Sequence, residues 1–232
     1  MGKTADGGTP SEDDGDATSL GAVLDGGCAQ LGVALEARHR AQMLTLVHEL
    51  ADWSLRFNLT AIREPADIVT KHLLDSLTVL PHLSGRTVAD VGSGAGFPGL
   101  PLAIASPERS FTLIEATGKK VRFIEHATRH LGLANVVVVH ARAESWKPPV
   151  PFDSVVARAL SSLSDFVRFA GHLAAPRGRL LAMKGQSPEE ELRTLARGWR
   201  ATQTLPLRVP GLDAARHLVV LQRAADVESR SR

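Results

Sequence analysis

The chain has 232 residues, of which 44% are hydrophobic and 22% charged, and its formal net charge is +2. This length and apolar content suffice for one α/β domain with an extension. No apolar run reaches the roughly 18 residues of a membrane span, and the polar, acidic start of the chain is not a signal peptide. We therefore expect a cytoplasmic protein that does not enter a membrane. The single cysteine, Cys28, fits a reducing compartment, and no Cys and His spacing indicates a metal site.

The first segment, residues 1–18, is rich in Gly, Asp, Ser and Thr and has few large apolar residues. Such a composition buries too little surface to offset the entropy of ordering, so we predict a disordered acidic tail. The basic excess of the chain then lies in the remainder, which permits a polyanionic partner. We assign residues 226–232 to a short C-terminal tail.

Residues 19–84 have helical periodicity, and we assign them to an N-terminal helical extension. Its apolar side chains recur at steps of three and four residues, namely Met43, Leu46, Val47, Leu50 and Trp53. The motif Asn58-Leu-Thr60 interrupts this pattern, and Pro65 then begins another helix that we expect to reach about Leu80.

Residues 85–225 are predicted to form an α/β domain, because short apolar runs there alternate with helical stretches. The predicted strands are Val88–Val91, Phe111–Ile114, Val136–Val139, Ser154–Ala157, Leu180–Met183, Ala201–Val209 and His217–Gln222. The first five belong to βαβ units and hence to a parallel sheet. Gly211 and Asp213 indicate a tight reversal between the last two, which predicts an antiparallel pair at one edge. The run at 136–139 is apolar throughout, as expected for a strand covered on both faces.

A glycine-rich turn follows the first predicted strand in Asp90-Val-Gly-Ser-Gly-Ala-Gly96. Gly92 and Gly94 lack a Cβ atom, so a ligand can approach the backbone closely, and Pro98 fits the first turn of the next helix. The simpler interpretation is an ordinary turn. The spacing G-x-G-x-G departs from the G-x-G-x-x-G of dinucleotide sites, and Asp90 would repel a pyrophosphate.

An acidic approach favours a ligand with amino groups or positive charge, and S-adenosyl-L-methionine (SAM) has both. The pattern D-x-G-x-G-x-G resembles motif I of the class I methyltransferases. Seven strands that end in an antiparallel pair also match their sheet. We therefore predict an α/β fold of the class I SAM-dependent methyltransferase (Rossmann-like) type, with a seven-stranded, mostly parallel sheet and the helical extension in front of it.

Polar residues follow most of the predicted strands, where ligands of open parallel sheets bind. Glu115 follows the second strand and suits the two ribose hydroxyls of a nucleoside, while Ala143 and Glu144 follow the third and suit an adenine. Arg158 follows the fourth strand and Lys184 the fifth. Each has a simpler interpretation: a neighbour of a helix cap, a solvated loop acid or a surface ion pair. Their occurrence together favours a site.

Basic residues cluster on two predicted helices, Lys119, Lys120 and Arg122 on one and Lys71 beside His72 on the other. A solvated helix face is the default interpretation of such charges. The sharper interpretation is contact with RNA phosphates, and we also include Lys184 in this predicted RNA-binding set. Tyr is absent, and no aromatic platform for base stacking stands out.

Several motifs together resemble one family, the bacterial 16S ribosomal RNA guanine-N7 methyltransferases, also called glucose-inhibited division protein B. The resemblance runs from about Leu46 to Ala224. It rests on Asn58-Leu-Thr60, Lys71-His-Leu-Leu-Asp-Ser76, Asp90-Val-Gly-Ser-Gly-Ala-Gly-Phe-Pro-Gly-Leu-Pro101, Lys119-Lys-Val-Arg-Phe123, Arg142-Ala-Glu144, Arg158-Ala159, Lys184-Gly185 and Arg216-His-Leu-Val219.

The resemblance implies that SAM is the cofactor and that a guanine in a decoding-region loop of 16S rRNA is the substrate, either in free RNA or in a precursor of the small ribosomal subunit. Matched by motif, the cofactor-binding positions are Gly92, Phe97, Ala143, Glu144 and Arg158. We add Gly94, because it belongs to the glycine-rich turn, and Glu115, because it suits the ribose hydroxyls, to the predicted cofactor-binding residues. We expect a monomer that holds no metal. The acidic tail has no counterpart in the family pattern.

Guanine N7 has a lone pair and no proton, so its methylation needs no general base, only collinear placement of N7, methyl carbon and sulfur. We hypothesise that His72 and Asp75 orient the base. The guanine becomes positively charged during methyl transfer, and a cation beside it would oppose the reaction. We therefore assign Lys71, Lys119 and Lys120 to RNA phosphates.

Three alternatives remain open. A nicotinamide-dependent dehydrogenase would use Glu115 equally well on a ribose. A SAM-binding RNA module without catalysis would bind both ligands and transfer nothing. A methyltransferase for a small molecule or a protein is disfavoured by the basic clusters and by the family motifs.

Overall fold

The computed structural model describes residues 12–159 and 161–225. Within them, seven strands form one sheet in the order β3-β2-β1-β4-β5-β7-β6. The strands are β1 Thr87–Val91, β2 Ser110–Glu115, β3 Val136–His140, β4 Phe152–Arg158, β5 Ala174–Lys184, β6 Trp199–Leu207 and β7 Arg216–Arg223. β1 to β5 pair in parallel, and β7 is antiparallel to both β5 and β6. The predicted seven-stranded sheet with a terminal antiparallel pair is therefore confirmed.

Helices precede the sheet and connect its strands. They are α1 Glu12–Leu31, α2 Ala37–Phe57, α3 Pro65–Ile68, α4 Asp75–Leu77, α5 Gly99–Ala105, α6 Gly118–His130, α7 Leu163–Ala170 and α8 Glu189–Arg193. A π-helical turn, Val69–Leu74, joins α3 to α4. None of the helices in the described part of the chain is long and apolar enough to cross a membrane.

Two predicted boundaries need correction. α1 begins at Glu12, so residues 12–18 of the predicted disordered tail are helical. Residues 1–11 and the predicted C-terminal tail, 226–232, lie outside the described residues. The helix predicted from Pro65 to about Leu80 is interrupted, because the π-helical turn inserts a wider turn before Asp75.

The prediction that the third strand is covered on both faces is wrong. Val137 is 59% exposed. β3 is an edge strand, and residues 141–151, which lead from it to β4, form turns without a helix. On one face Val136 is buried and Val138 packs against the same cluster, whereas on the other face Val139 is partly buried and Val137 is exposed.

The helical extension shares a hydrophobic core with one face of the sheet. Four of the five residues in the predicted α2 stripe are buried, and Trp53 is half-buried. Leu24 of α1, Leu74 of the π-helical turn and Leu100 of α5 belong to the same cluster of buried side chains. A Cβ atom on Gly27 would lie 2.3 Å from Leu74 Cδ1, so only a glycine lets α1 approach this turn so closely.

Asp153 fixes the start of the central strand. Its Oδ2 atom accepts hydrogen bonds from the backbone N–H groups of Arg86 (2.8 Å) and Thr87 (3.0 Å) and from the Thr87 hydroxyl (3.0 Å). We predict that Asp153→Ala lowers the free energy of unfolding by about 1–3 kcal/mol, because it leaves these donors without an acceptor. Urea denaturation measures the change. Glu190→Ala, at an exposed carboxylate of α8, is the control, and an equally small effect of both variants would contradict the assignment.

Candidate cofactor and acceptor site

The glycine-rich turn after β1 depends on backbone angles that favour glycine. Gly92, Gly94 and Gly96 have φ values of 66°, 61° and 88°. A Cβ atom on Gly96 would lie 2.4 Å from Leu100 Cδ1, whereas one on Gly92 would meet nothing within 4 Å. Gly96 is therefore required for packing against α5, and Gly92 keeps the space in front of the turn open.

Glu115 connects this turn to the next helix. Its side chain accepts a hydrogen bond from the Gly94 N–H and another from the Thr117 N–H, both at 2.8 Å. Each carboxylate oxygen keeps a further lone pair for a ligand. Glu115 is thus a neighbour of a helix cap, as the simpler interpretation had it, and also faces a cavity.

This cavity, which we name the glycine-turn cavity, has a volume of about 370 Å³. Four predicted cofactor-binding residues line it, namely Gly92, Glu115, Ala143 and Glu144. They come from the ends of β1, β2 and β3. The residues that follow these three strands therefore lie together on one wall of a cavity.

Asp90 lies behind the turn and is fully buried. Its Oδ2 atom accepts a hydrogen bond from the Gly99 N–H at 2.8 Å, while its Oδ1 atom has no partner among the described residues. Burial raises the pKa of this carboxyl group to about 7, although the bond from Gly99 acts in the opposite direction. Asp90 thus joins β1 to the start of α5.

A second cavity of about 470 Å³ lies at the same edge of the sheet. We name it the arginine cavity. Its walls come from the π-helical turn and α4, the ends of β4 and β5, and the start of β7, and they include Lys71, His72, Asp75, Arg158, Ala159, Met183, Lys184, Gly185 and Arg216.

Asp75 is the buried centre of the arginine cavity, with a side chain that is only 2% exposed. Its Oδ2 atom accepts a hydrogen bond from Arg158 Nη1 and its Oδ1 atom one from Arg216 Nε, both at 3.1 Å. Arg158 Nη1 also donates to the Lys71 carbonyl at 3.2 Å. A buried carboxylate is stable only with such partners, so Asp75 and the two guanidinium groups form one unit.

His72 is held in its neutral form. Its Nδ1 atom lies 3.1 Å from Arg158 Nη2, and because a guanidinium only donates, Nδ1 is the acceptor. The ring proton is then on Nε2 and is donated to Thr60 Oγ1 at 3.0 Å. Burial, together with the charge of Arg158, lowers the pKa of His72 to about 3.

Phe97 packs against His72 and Arg158 and is buried, with 3% of its surface exposed. Its ring stacks on His72 with the centroids 4.7 Å apart, and Arg158 Cζ lies 5.7 Å from the Phe97 centroid. The predicted cofactor contacts Phe97 and Arg158 therefore contact each other at the arginine cavity, apart from Gly92 and Glu115.

The predicted RNA-binding set divides into two groups. Lys71 and Lys184 line the arginine cavity and form ion pairs with Asp67 (2.9 Å) and Glu191 (2.8 Å). Lys119, Lys120 and Arg122 lie on α6 instead. Lys119 Nζ donates to the Phe57 carbonyl at the end of α2, with a distance of 2.8 Å.

The sequence analysis missed the roles of Thr60 and Arg216, although both lie in quoted motifs. Arg216 begins β7, and an antiparallel strand begins at the edge where parallel strands end; Lys184 is paired with the next residue, His217. A search confined to residues after strands overlooks such a position. No local signal in the sequence links Thr60 to His72.

The model of the family described as rRNA small subunit methyltransferase G matches residues 39–219 of the chain. The chain belongs to this family. It is 47% identical over 190 residues to a ribosomal RNA small subunit methyltransferase G of Xanthomonas campestris, covering 82% of this chain and 90% of the relative. It is 48% identical over 201 residues to one from Azoarcus sp., covering 86% and 95%.

Solved structures share the fold at low sequence identity. A SAM-dependent methyltransferase from Aquifex aeolicus aligns with a TM-score of 0.50 and 23% identity, covering 68% of this chain and 93% of that one. TrmN from Thermus thermophilus aligns with a TM-score of 0.51 and 21% identity, covering 73% and 53%. The predicted fold class and family resemblance are therefore confirmed.

The neutral His72 predicts a pH dependence of stability. The folded chain takes up a proton at this ring only near pH 3, but the unfolded chain does so near pH 6.5, so the contribution of His72 is lost as the pH falls below 6.5. Between pH 7 and pH 5 we expect the free energy of unfolding to fall by about 2 kcal/mol more for the natural protein than for His72→Gln. Urea denaturation at both pH values tests this, with the exposed His48→Gln as control. Equal decreases in all three proteins would show that His72 titrates normally.

Proposed function

We propose that this protein transfers the methyl group of SAM to N7 of a guanine in 16S rRNA, acting as a cytoplasmic monomer without a metal ion. The observation that carries the proposal is the placement of two cavities at the carboxyl edge of the sheet. Residues after β1, β2 and β3 line the glycine-turn cavity, and residues after β4 and β5 line the arginine cavity. The strand order reverses between β1 and β4, which is where ligands of such sheets bind.

The residues of the glycine-turn cavity fit SAM. The missing Cβ atom of Gly92 leaves room against the backbone, and the free lone pairs of Glu115 suit the ribose hydroxyls. Ala143 and Glu144 would hold the adenine side. When bound, SAM supplies a methyl group on a positively charged sulfonium. Three further residues remain predicted SAM contacts, namely Gly94, Phe97 and Arg158. Of these, Phe97 and Arg158 lie next to His72 of the arginine cavity, which would receive the acceptor base.

The arginine cavity supplies placement rather than proton transfer. Both nitrogen atoms of His72 and both oxygen atoms of Asp75 already have partners within the protein. Because both nitrogen atoms of His72 are engaged and the side chain of Asp75 is only 2% exposed, neither serves as a general base, and guanine N7 needs none because it carries no proton. Holding an acceptor in line can supply about 7–11 kcal/mol of barrier reduction.

The charges of this cavity are compatible with a base that becomes positive during the reaction. Of the described residues, four cationic side chains line it, and each has a carboxylate partner: Asp67 for Lys71, Glu191 for Lys184, and Asp75 for Arg158 and Arg216. These carboxylates offset most of the positive field at the base. The same cations are suited to bind the phosphates on either side of it.

Methylation of RNA tests the proposal directly. The protein is incubated with SAM and either 16S rRNA or small subunits from cells that lack this enzyme, and nucleosides are analysed by mass spectrometry. We expect N7-methylguanosine at one position, with the two substrates separating free RNA from an assembled particle. Binding of NAD but not SAM would indicate the dehydrogenase alternative, and SAM binding without transfer to either RNA would indicate a binding module or another acceptor.

The cofactor position is tested by Gly92→Val. A branched side chain at φ 66° is strained, and its methyl groups would enter the glycine-turn cavity. We expect SAM affinity, measured by calorimetry, to fall by at least about 100-fold. Gly132→Val is the matched control, because Gly132 has φ 63° and equally free surroundings on the far side of α6. Unchanged affinity in Gly92→Val would exclude this turn from the cofactor site.

A further inference from the structure

The end of α2 exposes apolar side chains beside the proposed RNA-binding residues. Leu55 is 72% exposed and Phe57 is 39% exposed, although both lie in the last turns of a helix whose other apolar residues face the core. We name Phe57 and its basic neighbours Arg56, Lys119 and Lys120 the Phe57 platform. Nothing in the proposed reaction so far uses it.

The Phe57 ring is supported from behind by other aromatic rings. Its centroid lies 5.2 Å from that of Trp53, which in turn lies 5.6 Å from the fully buried Phe123. A ring that is anchored in this way loses little entropy when a second flat group stacks on its free side. Nucleobases stack on such rings whatever their identity.

Basic residues lie next to Phe57. Lys119 Nζ is held 2.8 Å from the Phe57 carbonyl, and Arg56 is exposed beside it. Lys120 follows Lys119 on α6, and Asp52 is an acidic residue one turn before Arg56. An aromatic ring among cations is complementary to single-stranded nucleic acid, since stacking and phosphate contact act together there.

The Phe57 platform also lies close to the arginine cavity along the chain. Thr60, the partner of His72, is three residues after Phe57. Three extended residues span at most about 11 Å, so the platform lies within one or two nucleotides of the proposed acceptor.

We propose that Phe57 stacks on a base next to the target guanine, while Arg56 and Lys120 contact the RNA backbone. This inference rests on the proposed function, since it requires an RNA acceptor in the arginine cavity. It makes Phe57 a substrate-binding residue that holds the loop so that the guanine is presented to the cofactor.

The test measures binding of a fluorescein-labelled RNA hairpin that contains the target guanine, as located by the methylation experiment. We expect Phe57→Leu, which keeps an apolar side chain without a π face, to weaken binding by about 5- to 100-fold, whereas Phe57→Trp binds as the natural protein does. Leu55→Ala, at the more exposed neighbour, is expected to have no effect. SAM affinity is expected to be the same in all variants, which excludes misfolding.

An RNA that lacks the base beside the guanine completes a double-mutant cycle. If Phe57 stacks on that base, removing the base weakens binding of the natural protein but not of Phe57→Leu. The two changes together then reduce the affinity no more than either change alone. Lys120→Ala is expected to reduce the slope of log affinity against log salt by about one unit.

Two outcomes would overturn the inference. The first is a Phe57→Leu variant that binds the hairpin as tightly as the natural protein. The second is a loss confined to methylation of whole subunits, which would make the platform a contact for a ribosomal protein. Both are distinct from failure of the proposed function, in which the natural protein produces no N7-methylguanosine at all.

Discussion

The arginine cavity depends on the burial of one carboxylate, that of Asp75. Such a group is costly away from water, and the cost is offset here by two guanidinium groups that approach its two oxygen atoms separately. Because Arg158 ends β4 and Arg216 begins β7, the carboxylate joins the helical extension to two strands of the sheet. The same Arg158 also donates to His72, and its charge helps to keep that ring neutral. This ionic cluster thus holds the residues of the arginine cavity in place, and together with burial it keeps His72 neutral.

The glycine-rich turn after β1 connects this cluster to the glycine-turn cavity. Glu115 holds the turn at Gly94, and Phe97, on which His72 stacks, lies five residues after Gly92. Asp90 fixes the other end of the turn through the Gly99 N–H. A displacement of the turn would therefore move residues of both cavities. Under the proposed function, cofactor binding can in this way affect the residues of the arginine cavity.

Much of the glycine-turn cavity could be predicted because its signals are local. Strand ends, the glycine spacing and an acidic residue after β2 indicated Gly92, Glu115, Ala143 and Glu144, and these residues line one cavity. Less of the arginine cavity could be predicted. Apolar periodicity does not reveal the π-helical turn that presents Lys71 and His72, and the antiparallel direction of β7 brings Arg216 to the site from the start of a strand. Likewise, a run of valines indicates a strand but not whether both faces are covered, as the exposure of Val137 demonstrates.

The division between local and long-range signals corresponds to a division of function. The fold of the sheet is shared with methyltransferases of little sequence identity, so the fold by itself does not specify an acceptor. The helical extension contributes Thr60, His72 and Asp75 to the arginine cavity, and it also carries Phe57. These residues lie between the end of α2 and the start of α4, in a segment that precedes the sheet in sequence. The proposed function therefore assigns selection of the acceptor to this segment, and the buried Asp75 is the contact that joins it to β4 and β7 of the shared fold.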